Sequence, residues 1–219
     1  MRAMAVFGAA LTRLGLATTA IAAAAASAQI PSSRSGHSGI EYLSNEVAMG
    51  ELMDFGACYA AEETRKALRL IATTPSSREE ATTFVALFKS SNQGCLDGNS
   101  ELSADVPLVR GAIAEGMYKK RVPIPAALMQ TVPAPAEVSN LSGAARCYVG
   151  GHRAQATWLM AETRPGTRKE FDAVKRLMPD FLKCVPGDTK FSFPATVIRF
   201  RLAEALLRTA APAAPAVAK

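Results

Sequence analysis

The sequence predicts an all-α protein formed by tandem duplication of a disulfide-stapled three-helix unit, and three observations lead to this fold class. Aromatic residues make up only 6% of the 219 residues and alanine is abundant, which favours helix over sheet. Apolar residues recur at the three- and four-residue spacing of helices. The four cysteines form two pairs with the same spacing of 37 residues, Cys58 with Cys95 and Cys147 with Cys184.

The internal repeat extends beyond the cysteines. Sliding the sequence by 89 residues superposes both cysteine pairs without a gap, and Tyr59 then falls on Tyr148. An arginine and a glutamate recur at the same offset, as Arg110 with Arg199 and Glu115 with Glu204. Because a repeat of this kind indicates two copies of one structural unit, we expect helical repeats over residues 44–120 and 138–209.

The N-terminal residues have the pattern of a signal peptide. Arg2 and Arg13 lie in a segment without acidic residues, and an apolar stretch over residues 14–26 follows. The sequence Ala26-Ser27-Ala28 then supplies the small residues that a signal peptidase requires. The apolar stretch is short for a membrane anchor, which is the alternative, so we expect residues 1–28 to be removed on export.

Three segments outside the repeats have compositions typical of loosely structured chain. Residues 29–43 are rich in serine and glycine, and we expect them to be disordered. Residues 121–137 contain four prolines and are expected to form a Pro-rich linker. Residues 210–219 form an Ala/Pro-rich tail. No segment after the signal peptide is apolar enough to cross a membrane.

Each repeat is expected to contain three helices with similar boundaries. Helix one of the first repeat is expected to run from near Asn45 to the turn before Ser76. Ser76 followed by Glu79 then matches the capping box that begins a helix. Thr167 followed by Glu170 repeats this pattern in the second repeat.

The repeat selects one of the three connectivities that four cysteines allow. It pairs Cys58 with Cys95 and Cys147 with Cys184, so that each disulfide joins the start of helix one to the end of helix two. By the loop-entropy model, a disulfide that closes a loop of this length contributes about 4 kcal/mol. A metal site or a redox pair is the alternative, but the sequence has no CxxC and no histidine at zinc-like spacing. We therefore expect no metal and no cofactor.

The polar residues Arg110, Glu115, Arg199 and Glu204 form the candidate site because they recur in both repeats. Five residues separate each arginine from the glutamate on its own helix, so the two do not share one face. We favour a structural interpretation, in which each group makes an ion pair or hydrogen bond inside its own unit. The functional alternative is a polar pocket, and an enzyme would require these residues to converge in a cleft between the repeats. No catalytic motif is present, so no catalytic residue is predicted.

Charge is distributed unevenly between the repeats. Residues 52–120 contain eight Lys/Arg and nine Asp/Glu, whereas residues 145–211 contain twelve Lys/Arg and six Asp/Glu. A basic face on the second repeat would suit an anionic envelope component such as lipid headgroups or a polymer, with an ordinary solvated surface as the alternative. Aromatic residues do not interleave with the basic ones, which argues against nucleic acid as a partner. Trp158 lies among apolar positions and is expected in the core or at a contact between the two units.

One pattern occurs in both repeats: Cys-Tyr, then Cys-Leu or Cys-Val 37 residues later, then Arg-x-x-Ile/Leu-Ala-Glu. This pattern resembles uncharacterised secreted proteins of alphaproteobacteria, sphingomonads in particular. The resemblance covers both repeats and implies a compartment and a helical class, but no activity. Because the scaffold is duplicated and disulfide-stapled and has no catalytic constellation, we expect a non-enzymatic periplasmic or secreted binding or interaction protein. An envelope-associated role and an enzyme are the alternatives.

Overall fold

The computed structural model describes residues 39–41, 46–88, 94–95, 104–185, 187 and 192–210. Most of these residues are helical and strand is limited to two three-residue segments, which confirms the all-α prediction. The predicted signal peptide lies outside the described residues, as does the predicted tail apart from Ala210.

Seven α-helices occur in the described part of the chain. In chain order they are α1 (Glu46–Glu62), α2 (Thr64–Ala72), α3 (Arg78–Phe88), α4 (Val106–Lys119), α5 (Leu141–Glu162), α6 (Arg168–Leu182) and α7 (Ala195–Arg208). We refer to α1–α4 as the first half and to α5–α7 as the second half. Two short 3-10 turns lie between the halves, at Ala126–Leu128 and Pro135–Glu137.

A short two-stranded sheet joins the beginning of the described chain to the segment before α7. Strand β1 (Gly39–Glu41) pairs in parallel with β2 (Ser192–Pro194). Residues 29–43 are predicted to be disordered, but residues 39–41 of this segment form β1 because β2 supplies hydrogen-bond partners for their backbone. The other residues of segment 29–43 lie outside the described residues.

Matching capping interactions fix the N-termini of α3 and α6. In α6 the amide of Glu170 donates to Oγ1 of Thr167 (3.1 Å), and Oε2 of Glu170 accepts from the amide of Gly166 (2.8 Å). This is the predicted cap, with the carboxylate reaching one residue further back. In α3 the equivalent contact joins the amide of Glu80 to the hydroxyl of Ser77 (3.0 Å). The cap of α3 is therefore one residue later than predicted.

The shift in α3 has a cause in the backbone. Ser76 has a positive φ of 62°, and Gly166 has a positive φ of 75° at the corresponding position of the second half. A residue in this left-handed conformation precedes the N-cap rather than forming it, since N-cap residues are extended. Corresponding residues are therefore 90 rather than 89 apart in this part of the chain, and the predicted gapless register is wrong here.

The extra residue of the second half lies at the C-terminal end of α5. Each half ends its first helical segment with a threonine whose hydroxyl donates to a helix carbonyl. Thr73 donates to Leu70 (2.7 Å) and Thr163 donates to Leu159 (2.7 Å). The first pair is three residues apart and the second is four, which accounts for the change of offset.

The first helix of each half is interrupted at the same place. Glu63 separates α1 from α2 with φ −122° and ψ 36°, and His152 kinks α5 with φ −129° and ψ 34°. The prediction of one continuous helix is therefore wrong in the first half. The ring of His152 stacks on Tyr148 with 4.7 Å between centroids.

Two apolar clusters form the interior, one for each half. Helices α4 and α7 pack against each other between them, and Phe200 of α7 belongs to the first-half cluster. A Cβ on Gly111 of α4 would lie 2.2 Å from Cβ of Phe200, so this approach requires glycine. Trp158 is 45% exposed, which contradicts the predicted core position. Its ring faces the guanidinium of Arg176 at 5.9 Å.

Both predicted disulfides are present. Cys58 is bonded to Cys95 with 5.6 Å between Cα atoms, and Cys147 is bonded to Cys184 with 5.8 Å. Each disulfide ties the first helix of its half to the segment that follows the next long helix. Within the described residues, no helix combines the length and the apolar character that a bilayer-spanning segment requires.

The proline-rich segment between the halves packs on the C-terminal end of α7. The amide of Gln130 donates to the carbonyl of Arg208 (2.8 Å), and Nε of Arg208 donates to the carbonyl of Leu128 (3.1 Å). These contacts hold the predicted linker against the boundary between the halves, where the candidate site lies.

Candidate functional site

Arg110 on α4 is fully buried and holds the C-terminal end of α2. Its guanidinium donates to the carbonyl oxygens of Leu70 (2.8 Å), Ile71 (3.0 Å) and Thr73 (3.1 Å). The last turn of a helix leaves such carbonyls without partners, and a cation there also interacts favourably with the helix dipole. Arg110 therefore acts as a side-chain cap for the first half.

Arg199 on α7 makes the corresponding contacts in the second half and is also fully buried. Its guanidinium donates to the carbonyl oxygens of Leu159 (3.0 Å), Met160 (3.3 Å) and Thr163 (3.2 Å) at the end of α5. The two arginines thus have the same role, 89 residues apart.

The carboxylate that pairs with each arginine comes from the opposite half. Nε and Nη2 of Arg110 donate to the two oxygens of Glu204 at 2.9 and 2.6 Å. Nε and Nη2 of Arg199 donate to Glu115 at 2.8 and 2.7 Å. Each of the four residues also makes the predicted ion pair or hydrogen bond inside its own half, but the bidentate arginine–glutamate pairs cross between the halves. Each glutamate lies five residues beyond the arginine of its own helix, so it points to the neighbouring helix, and α4 and α7 run antiparallel.

A second glutamate faces each arginine from the N-cap region of the next helix. Oε1 of Glu80 accepts from Nη1 of Arg110 at 3.1 Å. Oε1 of Glu170 lies 4.0 Å from Nε of Arg199 and has no hydrogen-bond partner among the described residues. Burial raises the pKa of Glu170, and the charge of Arg199 only partly opposes this effect.

The crossed pairs keep their glutamates ionised. Burial favours the neutral acid, but the hydrogen bonds and charge of Arg110 outweigh it and lower the pKa of Glu204 to about 2. Burial likewise opposes the charge of Glu115, and Arg199 and then Lys119 lower its pKa below the usual value. Both carboxylates are therefore charged at neutral pH.

The four predicted site residues form two networks that share no residue. Arg110 and Glu204 define one end of the α4–α7 interface, and Arg199 and Glu115 define the other. We call these the Glu204 end and the Glu115 end. The enzyme interpretation requires these residues to converge on one cleft. They lie instead at opposite ends of the interface.

A small cavity of about 20 Å³ opens beside Glu204 at the Glu204 end. Two arginines of α7 contact this carboxylate in addition to Arg110, Arg208 at 3.1 Å and Arg201 at 3.4 Å. The residues that line the cavity are Pro75, Gln130, Ser142, Arg146, Arg201, Glu204, Ala205 and Arg208.

The Glu204 end carries more positive than negative charge. Four arginines and two glutamates belong to the cavity lining or to the ion-pair network around it: Arg110, Arg146, Arg201, Arg208, Glu80 and Glu204. Nε of Arg146 is buried and has no hydrogen-bond partner among the described residues. Burial lowers the pKa of Arg201 and of Arg208, and the nearby charge of Arg110 adds to the effect, although Glu204 opposes it.

The Glu115 end has the same framework with balanced charge. Lys119, at the position corresponding to Arg208, contacts Glu115 at 2.7 Å. The positions that correspond to Arg146 and Arg201 are Ala57 and Ala112. A groove of about 470 Å³ at this end is lined by residues of both charges, including Glu46, Asp54, Lys119 and Arg164.

Several residues of these networks are not among the predicted site residues. Glu170 is predicted only as a capping residue, and Thr73, Thr163 and Glu80 are not singled out. The arginines Arg146, Arg201 and Arg208 are counted only toward the charge of the second repeat. The sequence does contain a signal for Arg201 and Arg208, which lie among apolar residues on all sides of one helix. A helix that is apolar on all sides is buried, and it buries its charged residues too.

No group of three or more His, Cys, Asp or Glu residues in the described ranges is placed to hold a metal ion. Comparison with known protein families, with curated proteins and with solved structures finds no match to this chain. The fold and the site define a class of α-helical protein with two disulfides, in which crossed and buried ion pairs join the two halves.

Proposed function

We propose that this chain consists of two copies of one disulfide-stapled helical unit and acts as an exported, non-enzymatic binding protein. Contacts that recur at offsets of 89 or 90 residues support the duplication. They include the two disulfides, the two helix-capping arginines, the two N-caps and the two helix interruptions.

The observation that carries the binding function is the difference between the two ends of the interface. The capping arginine and its crossed glutamate are kept at both ends, so they serve the scaffold. Arg146 and Arg201 occur at one end only, beside a cavity, where the other end has alanine. A charge that is buried at a cost and is not needed by the scaffold is typical of a ligand site.

The two disulfides support export to an oxidising compartment, the periplasm or the cell exterior. The N-terminal pattern of residues 1–28 supports the same route. An enzyme is less well supported, because Arg110 and Arg199 already direct their nitrogens to carbonyls and carboxylates of the scaffold.

Native mass spectrometry of the protein recovered from the envelope fraction of its own host tests this function. We expect a chain that begins at Gln29, contains two disulfides and carries a stoichiometric non-covalent ligand or partner. The same sample after denaturation should give the mass of the polypeptide alone. A chain recovered without any ligand or partner, or with residues 1–28 retained in the cytoplasm, would contradict the proposal.

A second candidate function is binding to an anionic envelope surface through α6. The exposed side of this helix carries Arg168, Lys169, Lys175 and Arg176, and the exposed Lys183 follows directly after it. Trp158 and Leu182 are exposed large apolar residues of the same half, at 45% and 43%. Basic and apolar residues on one face are typical of proteins that bind the surface of an anionic membrane.

Sedimentation with vesicles separates this candidate from the first. We expect binding to vesicles that contain phosphatidylglycerol, no binding to pure phosphatidylcholine, and weaker binding at high salt. Replacing both Lys175 and Arg176 by alanine should reduce binding, whereas replacing Lys66, a basic residue of the first half, should not. Equal binding to both kinds of vesicle would contradict the second candidate.

A further inference from the structure

We infer that Arg146, Arg201 and Arg208 form a binding site for one oxyanion, the phosphate or carboxylate group of a ligand, in the cavity beside Glu204. This inference rests on the proposed binding function and assigns it a chemical class of ligand. The ligand would enter with one anionic group between the two halves, at the place where α5, α7 and the linker meet.

Positive charge at the Glu204 end is only partly compensated. Glu204 is the carboxylate that Arg110, Arg201 and Arg208 all contact, and Arg110 already takes both of its oxygens. Glu80 also contacts Arg110, so two carboxylates face three guanidinium groups, and Arg146 adds a fourth for which no carboxylate contact is described. Buried charges are normally paired, so this end of the interface lacks negative charge.

The cavity is also surrounded by hydrogen-bond donors that lack acceptors within the described part of the chain. Nε of Arg146 is buried without an acceptor, and the one described carboxylate contact of Arg201 is a long one of 3.4 Å. Ser142 and Gln130 also line the cavity, and their side-chain hydroxyl and carboxamide groups can donate. An oxyanion supplies the acceptors that these groups lack, and arginine binds carboxylate and phosphate with matching geometry.

The dimensions and position of the cavity fit one anionic group. Its volume of about 20 Å³ exceeds what a single water needs and is far too small for a whole organic molecule. Ser142 and Arg146 lie in the first two turns of α5, and the N-terminal end of a helix favours negative charge. The rest of a larger ligand would remain outside the cavity.

The Glu115 end provides an internal control for the inference. It keeps the crossed pair and the flanking cation, Lys119, but has Ala57 and Ala112 where the Glu204 end has Arg146 and Arg201. The scaffold therefore folds at one end without this arginine pair. This comparison indicates that Arg146→Ala and Arg201→Ala remove ligand contacts and leave the framework intact.

Isothermal titration calorimetry of the full mature chain with inorganic phosphate and with acetate tests the site, with chloride at equal ionic strength as the reference. We expect saturable binding of phosphate, acetate or both, at one anion per chain. Binding of phosphate alone would identify a phosphate group, and binding of acetate alone would identify a carboxylate. No saturable binding of either, or equal binding of chloride, would overturn the inference.

Matched variants separate a ligand site from a structural cluster. Arg146→Ala and Arg201→Ala should each weaken anion binding by about tenfold or more, since each removes a charge-assisted hydrogen bond. Arg176→Ala removes the same charge from the exposed surface and should leave the affinity unchanged.

Stability in anion-free buffer completes the test. Both cavity variants should unfold at the same or a higher temperature than the parent chain, because each relieves repulsion among buried arginines. A fall in unfolding temperature without any change in anion binding would show that the arginines are structural and would overturn the inference. Recovery from the host with an uncharged or cationic ligand would overturn it too, while leaving the proposed binding function in place.

Discussion

Arg110 and Arg199 each do two things at once. Each caps the last carbonyls of a helix in its own half and binds a glutamate from the opposite half in a bidentate pair. Lysine has no planar set of donors and cannot make both contacts in this geometry. The identity of the arginine therefore matters beyond its charge, since one side chain fixes a helix end and the contact between the halves.

Replacing Glu204 by glutamine should lower the free energy of unfolding at neutral pH by about 3–5 kcal/mol, because it removes the bidentate carboxylate partner of the buried Arg110. Urea unfolding followed by far-UV circular dichroism measures this change. Glu162→Gln alters an exposed glutamate and should have almost no effect.

Acid stability provides a second readout of the same pair. The pKa of Glu204 is lowered from 4.5 to about 2 in the folded chain. The contribution of the ionised carboxylate to folding stability is therefore complete above pH 4.5 and is lost as the pH falls toward 2. We expect Glu204→Gln to flatten the loss of stability in this window, and Glu162→Gln to leave it unchanged. A parent-like acid transition in Glu204→Gln would contradict the role given to this pair.

The helices of each half are arranged as a hairpin closed at two places. A disulfide ties α1 to the segment after α3 and α5 to the segment after α6, and an arginine of α4 or α7 fixes the C-terminal end of α2 or α5. The turn that follows this end has a left-handed residue just before the N-cap, Ser76 in one half and Gly166 in the other. This turn directs the amide of that residue toward the glutamate three residues after the N-cap, Glu80 or Glu170.

Exchanging these two residues tests the turn. Ser76→Gly should raise the free energy of unfolding by about 0.5 kcal/mol, because glycine adopts a positive φ without the steric cost that serine has. Gly166→Ser should lower it by about 1 kcal/mol for the same reason. Thermal unfolding of the two variants against the parent measures both. Stabilisation by Gly166→Ser would contradict this account of the turn.

The described residues form two apolar clusters, and the interface between α4 and α7 carries a buried polar network at each end. Antiparallel packing of α4 on α7 places each glutamate beside the arginine of the other helix, so neither half forms its bidentate arginine–glutamate pair alone. The side chain of Phe200, which belongs to the second half, packs in the first-half cluster. We therefore expect the halves to unfold together.

Trp158 is the only tryptophan of the chain and lies in the second half, so its fluorescence reports on that half. Ile71→Ala creates a cavity in the first-half cluster and should lower stability by about 2–5 kcal/mol. We expect the Trp158 transition in urea to shift by the same amount as the far-UV circular dichroism transition. Val174→Ala, in the second-half cluster, is the matched control. An unchanged Trp158 transition in Ile71→Ala would show that the halves unfold independently.

The sequence by itself determined the helical class, both disulfides and the cap formed by Thr167 and Glu170, because each depends on local spacing or composition. Recurrence also singled out Arg110 and Arg199 as a matched pair. Only the tertiary structure decided their partners. Five residues of helix turn each glutamate away from its own arginine, and the antiparallel contact of α4 with α7 brings it to the other one. The cavity beside Glu204 likewise depends on helices that are distant in the chain, which local patterns do not encode.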